Sequence, residues 1–288
     1  MSLRVRETGL LSLLVDFGRP RSRSRGVPLG GAADRFALAL GNGLVGNLPD
    51  ALALEVTLSG PTLETLHPAP CVIYGAPFES TVNNAPVTPG STFTLEPGDV
   101  LRVGGTPTGV RAYVCVAGGF DSPEVLGSRS ALEPVRAGGV LACAASRTES
   151  RGLGLPPSLV ALQGVGRKAT KEGGGLRVLD GPQREWFTDG AFFTQTYHVA
   201  PASNRMGLRL TGEPLMRRPG ELVSEAVAPG AVQVANDGLP IVLGVDGQTI
   251  GGYPKVAHVI RADLDLLARL RPGDPVHFVS VTPDQAEE

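Results

Sequence analysis

A mainly β fold is what the sequence predicts, and three observations carry that prediction. Glycine (39) and proline (25) are abundant among the 288 residues and scattered without period, so the chain turns often. The apolar residues fall in short alternating runs, each closed by Asn, Pro or Gly, as in a series of hairpins. Helical spacing is confined to a few short stretches. A hydrophobic content of 42% is globular rather than disordered, and the length suffices for one large or two ordinary cores.

Taken in chain order, residues 5–15 and 51–58 contain strand-like runs. Between them, GGAADRFALALGNGLVGN predicts a helix after Gly31. Asp34 lies in its first turn, where the dipole favours an acid, and Phe36, Ala37, Leu40 and Leu44 recur at helical spacing. Gly41 and Gly43 are expected to end it. CVIYGAP (71–77), STVNNAPV (80–87), STFTLEPGDVLRVGG (91–105) and VRAYVCVAGGF (110–120) read as a meander of strands, with a tight turn at Asn83-Asn84.

Residues 147–175 are dense in Gly, Pro, Ser and Lys. They read as an inter-domain connection carrying one short strand at 159–162. The division expected is therefore 1–150 and 151–288, with the N-terminal strand free to complete a barrel built mostly elsewhere. Strands resume at LRVLDGP (176–182), followed by a short helix around Trp186 and Phe187. Tyr197–Val199 and Gly207–Leu210 look extended. AVQVANDGLPIVLGV (231–245) is a hairpin turning at Asn236-Asp237-Gly238. A helix of about three turns is expected from Asp263, with Leu264, Leu267, Ala268 and Leu270 as its apolar stripe, stopping at Pro272-Gly273. LEPGDVLRV (95–103) and LRPGDPVHFV (270–279) echo one another through a Pro-Gly-Asp turn.

The net charge of −2 offers no basic field for nucleic acid or for a membrane surface. One local exception, RPRSRSR at 19–25, reads either as a solvated loop or as a phosphate-binding run, the solvated reading being favoured. No stretch approaches the roughly 18 apolar residues of a membrane-spanning helix, and no leader peptide is evident. Cys71, Cys115 and Cys143 are odd in number and set in apolar runs, as buried thiols of a reducing cytoplasm would be. His67, His198, His258 and His277 lack metal-ligand spacing.

Chemistry concentrates in VDGQTIGGYPK (245–255), a polar, glycine-containing interruption between two apolar runs. If the strands through Val245 and from Val256 pair, Gly251-Gly252 connect them and let backbone approach a ligand. Pro254 then biases Tyr253 to an extended conformation. Asp246 and Lys255 would face one another, the lysine supplying charge and the aspartate orienting it or taking a proton. A surface salt bridge beside a glycine bend is the bland alternative. Three further segments combine glycine with polar groups: the one bearing Asp34, LGSRSAL with Ser128 and Ser130, and SNRMGLRLTG with Asn204, Arg205 and Arg209.

Together, GVPLGGAADRFALALGNGLVGN, LGSRSAL, SNRMGLRLTG and the run from Ser224 to Asp274 resemble the allophanate hydrolase subunit 2 family. That family includes the C-type component of bacterial ATP-dependent 5-oxoprolinase, an antagonist of a sporulation kinase inhibitor, and half of the carboxyltransferase domain of urea carboxylase. The resemblance runs over nearly the whole chain. It departs at Ile250, where relatives have a second threonine, and at Ala235, where they have proline. It also departs at residues 131–141, which are shorter than the usual glycine-rich loop and carry Gly138-Gly139.

The resemblance implies two cyclophilin-like β-barrel subdomains with a few short helices. It also implies a chain that works with a B-type partner, similar to allophanate hydrolase subunit 1, and with an A-type hydrolase component. The reaction implied is ATP-driven opening of the lactam 5-oxo-L-proline to glutamate. The alternatives are a carboxyltransferase component of a urea-carboxylase-like system and a non-enzymatic antagonist of a kinase inhibitor. Lys255, Arg205 and Arg209 are the candidates for charge and Asn204 and Gln233 for amide contacts. Asp34 and Asp246 are the candidates for proton handling, and Tyr253, Gly251, Gly252, Ser128 and Ser130 for substrate binding. GxxxxGK[ST] does not occur, so an ATP site (with Mg2+) would be of another kind or shared with the partner. No Met-Lys-Met is present, so biotin would arrive on another chain.

Overall fold

Strands dominate the computed structural model, which describes residues 2–144, 169–170, 172, 174–187, 190–218, 220 and 222–287. The fold is mainly β with a few short helices. The strand expected at 159–162, and most of the expected connection, lie outside the described residues. The chain divides into two units, Met1–Gly18 with Gly30–Gly166, and Arg19–Leu29 with Arg167–Glu288.

The first unit runs β1 (Ser2–Glu7), β2 (Leu11–Val15), α1 (Arg35–Leu44), β3 (Ala53–Thr57), β4 (Thr62–Thr65) and β5 (Ala69–Gly75). It continues with β6 (Ser80–Val82), β7 (Ala85–Val87), β8 (Phe93–Leu95), β9 (Val100–Val103), β10 (Arg111–Val116) and β11 (Val140–Ala142). These form a six-stranded sheet, β11-β1-β4-β9-β6-β7, and a five-stranded sheet, β2-β3-β10-β5-β8. Leu3, Val5, Leu63 and Leu101 of the first sheet pack with Leu54, Val56, Ile73 and Val114 of the second in one buried cluster. Alternate residues Ala53, Val72, Tyr113 and Cys115 point the other way, into a second cluster with Ala37 and Leu38 of α1. A sheet covered on both faces explains why every residue of β3 is buried, Glu55 included.

The Asp34 carboxylate caps α1, accepting from the Ala37 N–H at 2.8 Å. Gly41 lies inside this helix and does not end it. A Cβ there would meet the Cys115 sulfur at 2.8 Å, so its absence lets the helix lie close on the sheet. Asn83 and Asn84 turn the β6–β7 hairpin at φ 50° and 70°.

The second unit contains β12 (Leu176–Asp180), α2 (Ala191–Thr194), β13 (Tyr197–Val199), β14 (Gly207–Thr211), β15 (Glu225–Ala226), β16 (Ala231–Val234) and β17 (Pro240–Leu243). It continues with β18 (Ile250–Gly251), β19 (Lys255–Val259), α3 (Leu264–Leu267), β20 (Pro275–Val276), β21 (Phe278–Ser280) and α4 (Pro283–Glu287). Eight strands form one sheet, β20-β13-β14-β17-β16-β19-β12-β21. Its two edge strands are separated in sequence by His277 alone, so the sheet curls until its ends meet in a near-closed barrel. Val178, Tyr197, Leu210, Val232, Val242, Val256 and Phe278 fill the interior. β15 and β18 make a separate two-stranded ribbon.

Three sequence expectations change here. The helix from Asp263 is a 3-10 turn (Arg261–Asp263) followed by α3, and it stops at Leu267 rather than after three turns. Leu264, Leu266 and Leu270 still pack on the barrel core, so the apolar stripe serves a bend as well as a helix. Trp186 ends a 3-10 turn, Arg184–Trp186, and Phe187 is already extended. The strands leading into and out of VDGQTIGGYPK do not pair. β17 and β19 flank β16 on either side, because β16, buried along its whole length, takes the central place. The two Pro-Gly-Asp turns do match. Asp99 accepts from the Glu96 N–H at 2.8 Å and Asp274 from the Arg271 N–H at 2.7 Å, with Gly98 and Gly273 at φ 90° and 89°. Among the described residues, no helix is long and apolar enough to cross a membrane.

Candidate functional site

Lys255 opens β19, and a β-bulge sets its direction. Ala231 and Val232 of β16 pair with His258 and Ala257, whereas Gln233 pairs with Lys255, so Val256 is the extra residue. The turn after β12 clamps this bulge. Gly181 N–H donates to the Val256 carbonyl (3.0 Å), Gln183 N–H to the Lys255 carbonyl (3.2 Å), and Lys255 N–H to Gln183 Oε1 (3.0 Å). A Cβ on Gly181 would come within 2.2 Å of the Lys255 carbonyl, so glycine is required for the close approach.

Buried to 9% exposure, the Lys255 side chain places Nζ 2.5 Å from Glu225 Oε1. Gln183 Nε2 donates to the same oxygen at 3.0 Å. The hydrogen bond from Lys255 holds the Glu225 carboxyl below its ordinary pKa, aided by Gln183 and opposed by burial. Lys255 thus finds Glu225 on the β15–β18 ribbon, and the expected pairing with Asp246 is corrected.

Gln233, almost wholly buried on β16 opposite Lys255, is tied by its side chain to the loop. Its Nε2 donates to the Tyr253 carbonyl (3.4 Å) and its Oε1 accepts from Gln248 Nε2 (3.4 Å). A Cβ on Gly251 would sit 2.6 Å and 2.7 Å from the Gln248 and Gln233 amide nitrogens, which explains the glycine. Beside this network lies a cavity of 270 Å³, lined by Arg217, Leu222, Asn236, Gln248, Gly252 and Tyr253.

Part of the basic run belongs to the same unit. Arg23 Nη2 donates to the Val227 carbonyl and, at 3.1 Å, to the Gln248 carbonyl. Arg19 and Ser22 are buried and Arg23 is half-buried, so the solvated reading fails for these three and holds for Pro20, Arg21, Ser24 and Arg25.

The remaining candidates stand in other settings. Asp246 grips the buried Arg205 guanidinium from Nε (2.7 Å) and Nη2 (3.0 Å). Asn204 Oδ1 accepts from the Met206 N–H at 2.8 Å, and Arg209 projects from the exposed face of β14. In the first unit, the Asp34 N–H donates to the Tyr113 hydroxyl, which donates to the buried Glu55 (2.9 Å). Burial, with Glu55 and Asp34 nearby, pushes the Tyr113 hydroxyl pKa well up. Ser128 and Ser130 each donate to Asp16 Oδ1 at 2.6 Å, while the Gly18 and Arg129 N–H groups complete the clamp at 2.7 Å. Burial pushes the Asp16 pKa up, but these four hydrogen bonds prevail and its net position is lowered.

Glu225, Gln183, Arg217, Asn236 and Gln248 were not foreseen from the sequence. A buried lysine requires an acid, and that requirement was the available pointer to Glu225.

A family model described as "Carboxyltransferase domain, subdomain A and B" matches residues 25–280. The chain is 36% identical to the 5-oxoprolinase C subunit of Escherichia coli (strain K12), over 99% of this chain and 93% of that protein. The Haemophilus influenzae protein of the same name is 32% identical over 94% and 88%. Among solved structures, that of TTHA0988 superposes with a TM-score of 0.86 at 34% identity, covering 97% of this chain and 55% of that one. The Kluyveromyces lactis urea amidolyase superposes at 0.88 with 27% identity, covering 99% of this chain but 19% of that one.

Proposed function

The chain belongs to the carboxyltransferase-domain family of subdomains A and B, and from that membership we propose that it is the C-type component of an ATP-dependent 5-oxoprolinase, active only in complex. The observation that carries the reading is the ion pair of buried Lys255 with part-exposed Glu225, set on a bulge beside a cavity of amino-acid size. At 270 Å³ the cavity lies just below the roughly 300–1,000 Å³ of pockets for drug-sized ligands. It suits a small lactam and is too small for a whole nucleotide. ATP is accordingly placed outside this cavity, at a site of another kind or one shared with the B-type partner. Among the described residues no cluster of three or more His, Cys, Asp or Glu forms a metal cage. A magnesium ion accompanying ATP would be held mainly by its phosphates.

The chemistry follows from the weakness of a lactam as an electrophile. Its carbonyl oxygen takes the γ-phosphoryl group and ADP leaves, which activates the ring carbon. Water adds there, the C–N bond breaks with a proton passing to nitrogen, and a second water releases phosphate and leaves glutamate. Lys255 supplies fixed charge where the transferred phosphoryl group builds up negative charge. Glu225, itself held by Gln183, keeps the ammonium in place; Gln248 and Asn236 present amides to the substrate, and buried Gln233 braces Gln248. The similarity to two 5-oxoprolinase C subunits over nearly their full lengths supports this reaction over urea carboxylation. The test is ATP-coupled glutamate formation by this chain reconstituted with B-type and A-type partners. Lys255→Ala should abolish it, and intact turnover in that variant would remove Lys255 from the reaction.

A further inference from the structure

The cavity beside Gly252 and Tyr253 carries an unused charge, and it belongs to a residue that no motif singled out. Among the described residues lining the cavity, Arg217 alone is charged. Among the described residues its guanidinium has one hydrogen-bond partner, Asn236 Oδ1 at 3.4 Å, and no carboxylate within ion-pair distance. An arginine presents five donors in a planar fork that matches a carboxylate. Holding such a fork in a half-buried cavity without an anion leaves donors unused, which an anionic ligand would satisfy.

The rest of the lining is suited to a small amide rather than to a phosphate. Asn236 and Gln248 offer side-chain amides, and Gly252 leaves backbone open. Leu222 and Tyr253 supply apolar surface for a ring. The Lys255–Glu225 pair lies along the same strands: Glu225 pairs with Gly251, next to Gly252, and Lys255 follows Tyr253 by two residues. Anion recognition and fixed charge are thus carried by different residues.

We propose that Arg217 is the specificity residue of this site, binding the carboxylate of a small carboxylated lactam while the ring amide points along the loop toward the Lys255 pair. This rests on the function proposed above and adds the group that distinguishes an acid substrate from a neutral amide such as urea. The carboxylate takes no part in bond making, so its contact supplies binding and orientation.

Calorimetric titration of the full chain, assembled with its partners, tests this with two ligands: 5-oxo-L-proline and its neutral carboxamide. Wild type should prefer the acid. Arg217→Met should weaken the acid by about 10- to 100-fold and leave the carboxamide unchanged, erasing the preference. Arg217→Lys should restore part of it, since a point charge replaces the fork incompletely. A Met variant that keeps the preference, or that loses both ligands equally, overturns the proposal, as does a wild type indifferent to the charge. Glutamate formation by the same wild-type preparation decides the reaction separately. If it is absent while the acid is preferred, the subsite stands and the lactam-opening reading falls.

Discussion

Lys255 is expected to matter for chemistry more than for stability. Its partner Glu225 is 40% exposed, so losing the lysine leaves an acid that water can solvate. Lys255→Ala should therefore abolish turnover while thermal denaturation shifts by only a few degrees, and Lys255→Arg should recover a small part of the activity. A variant that unfolds would reassign the lysine to structure. Asp16 gives the opposite expectation. Its carboxyl is lowered in the folded state, so the clamp stabilises above the 3.8 of a free aspartate and is lost as pH falls through the folded value. Acid titration followed by circular dichroism should show wild type losing stability in that range, and Asp16→Asn should flatten the dependence. Equal pH profiles would show that the clamp contributes nothing. The sequence made Lys255 visible, as a lysine beside glycines and a tyrosine-proline pair. Its partner was not visible, because spacing cannot show that Val256 bulges or that a ribbon 30 residues upstream supplies the acid. Asp246, nearer in sequence, neutralises Arg205 instead.

At the scale of single elements, two glycines of α1 differ in what a methyl group would meet. A Cβ at Gly43 meets nothing within 4 Å, so Gly43→Ala should stabilise by about 0.5–1 kcal/mol through helix propensity. A Cβ at Gly41 would press on Cys115 and Tyr74, so Gly41→Ala should destabilise by about 1–3 kcal/mol. Urea denaturation of both variants checks the pair, and equal effects would contradict the packing described for the helix. Gly251→Ala would displace the Gln248 and Gln233 amides, and should cut turnover about tenfold or more while the protein stays folded. α1, the β16–β17 hairpin and the Asn83-Asn84 turn were legible because local chemistry determines each of them: an acid at the helix start (the N-cap, one residue before the expected first turn) with an apolar stripe, a turn tripeptide, a left-handed pair. α3 was overextended because an apolar stripe at helical spacing also fits a bent segment folded onto a core. The order β17-β16-β19 is a non-local fact, and no local pattern announces it.

Across the whole chain, the residues implicated in binding and charge—Lys255, Glu225, Gln183, Gln233, Gln248 and Arg217—all belong to the second unit, with Arg23 of the 19–29 segment tied to it. The proposed function assigns that unit a small acid and, because GxxxxGK[ST] does not occur, an ATP site of another kind or one shared with a partner. The chain alone should neither hydrolyse ATP nor consume 5-oxo-L-proline. The most direct test is glutamate formed per ATP consumed, measured for this chain alone, for its B-type and A-type partners without it, and for all three together. The account predicts coupled turnover in the last mixture only, abolished there by Lys255→Ala. Turnover by the isolated chain, or by the partners without it, would contradict the account.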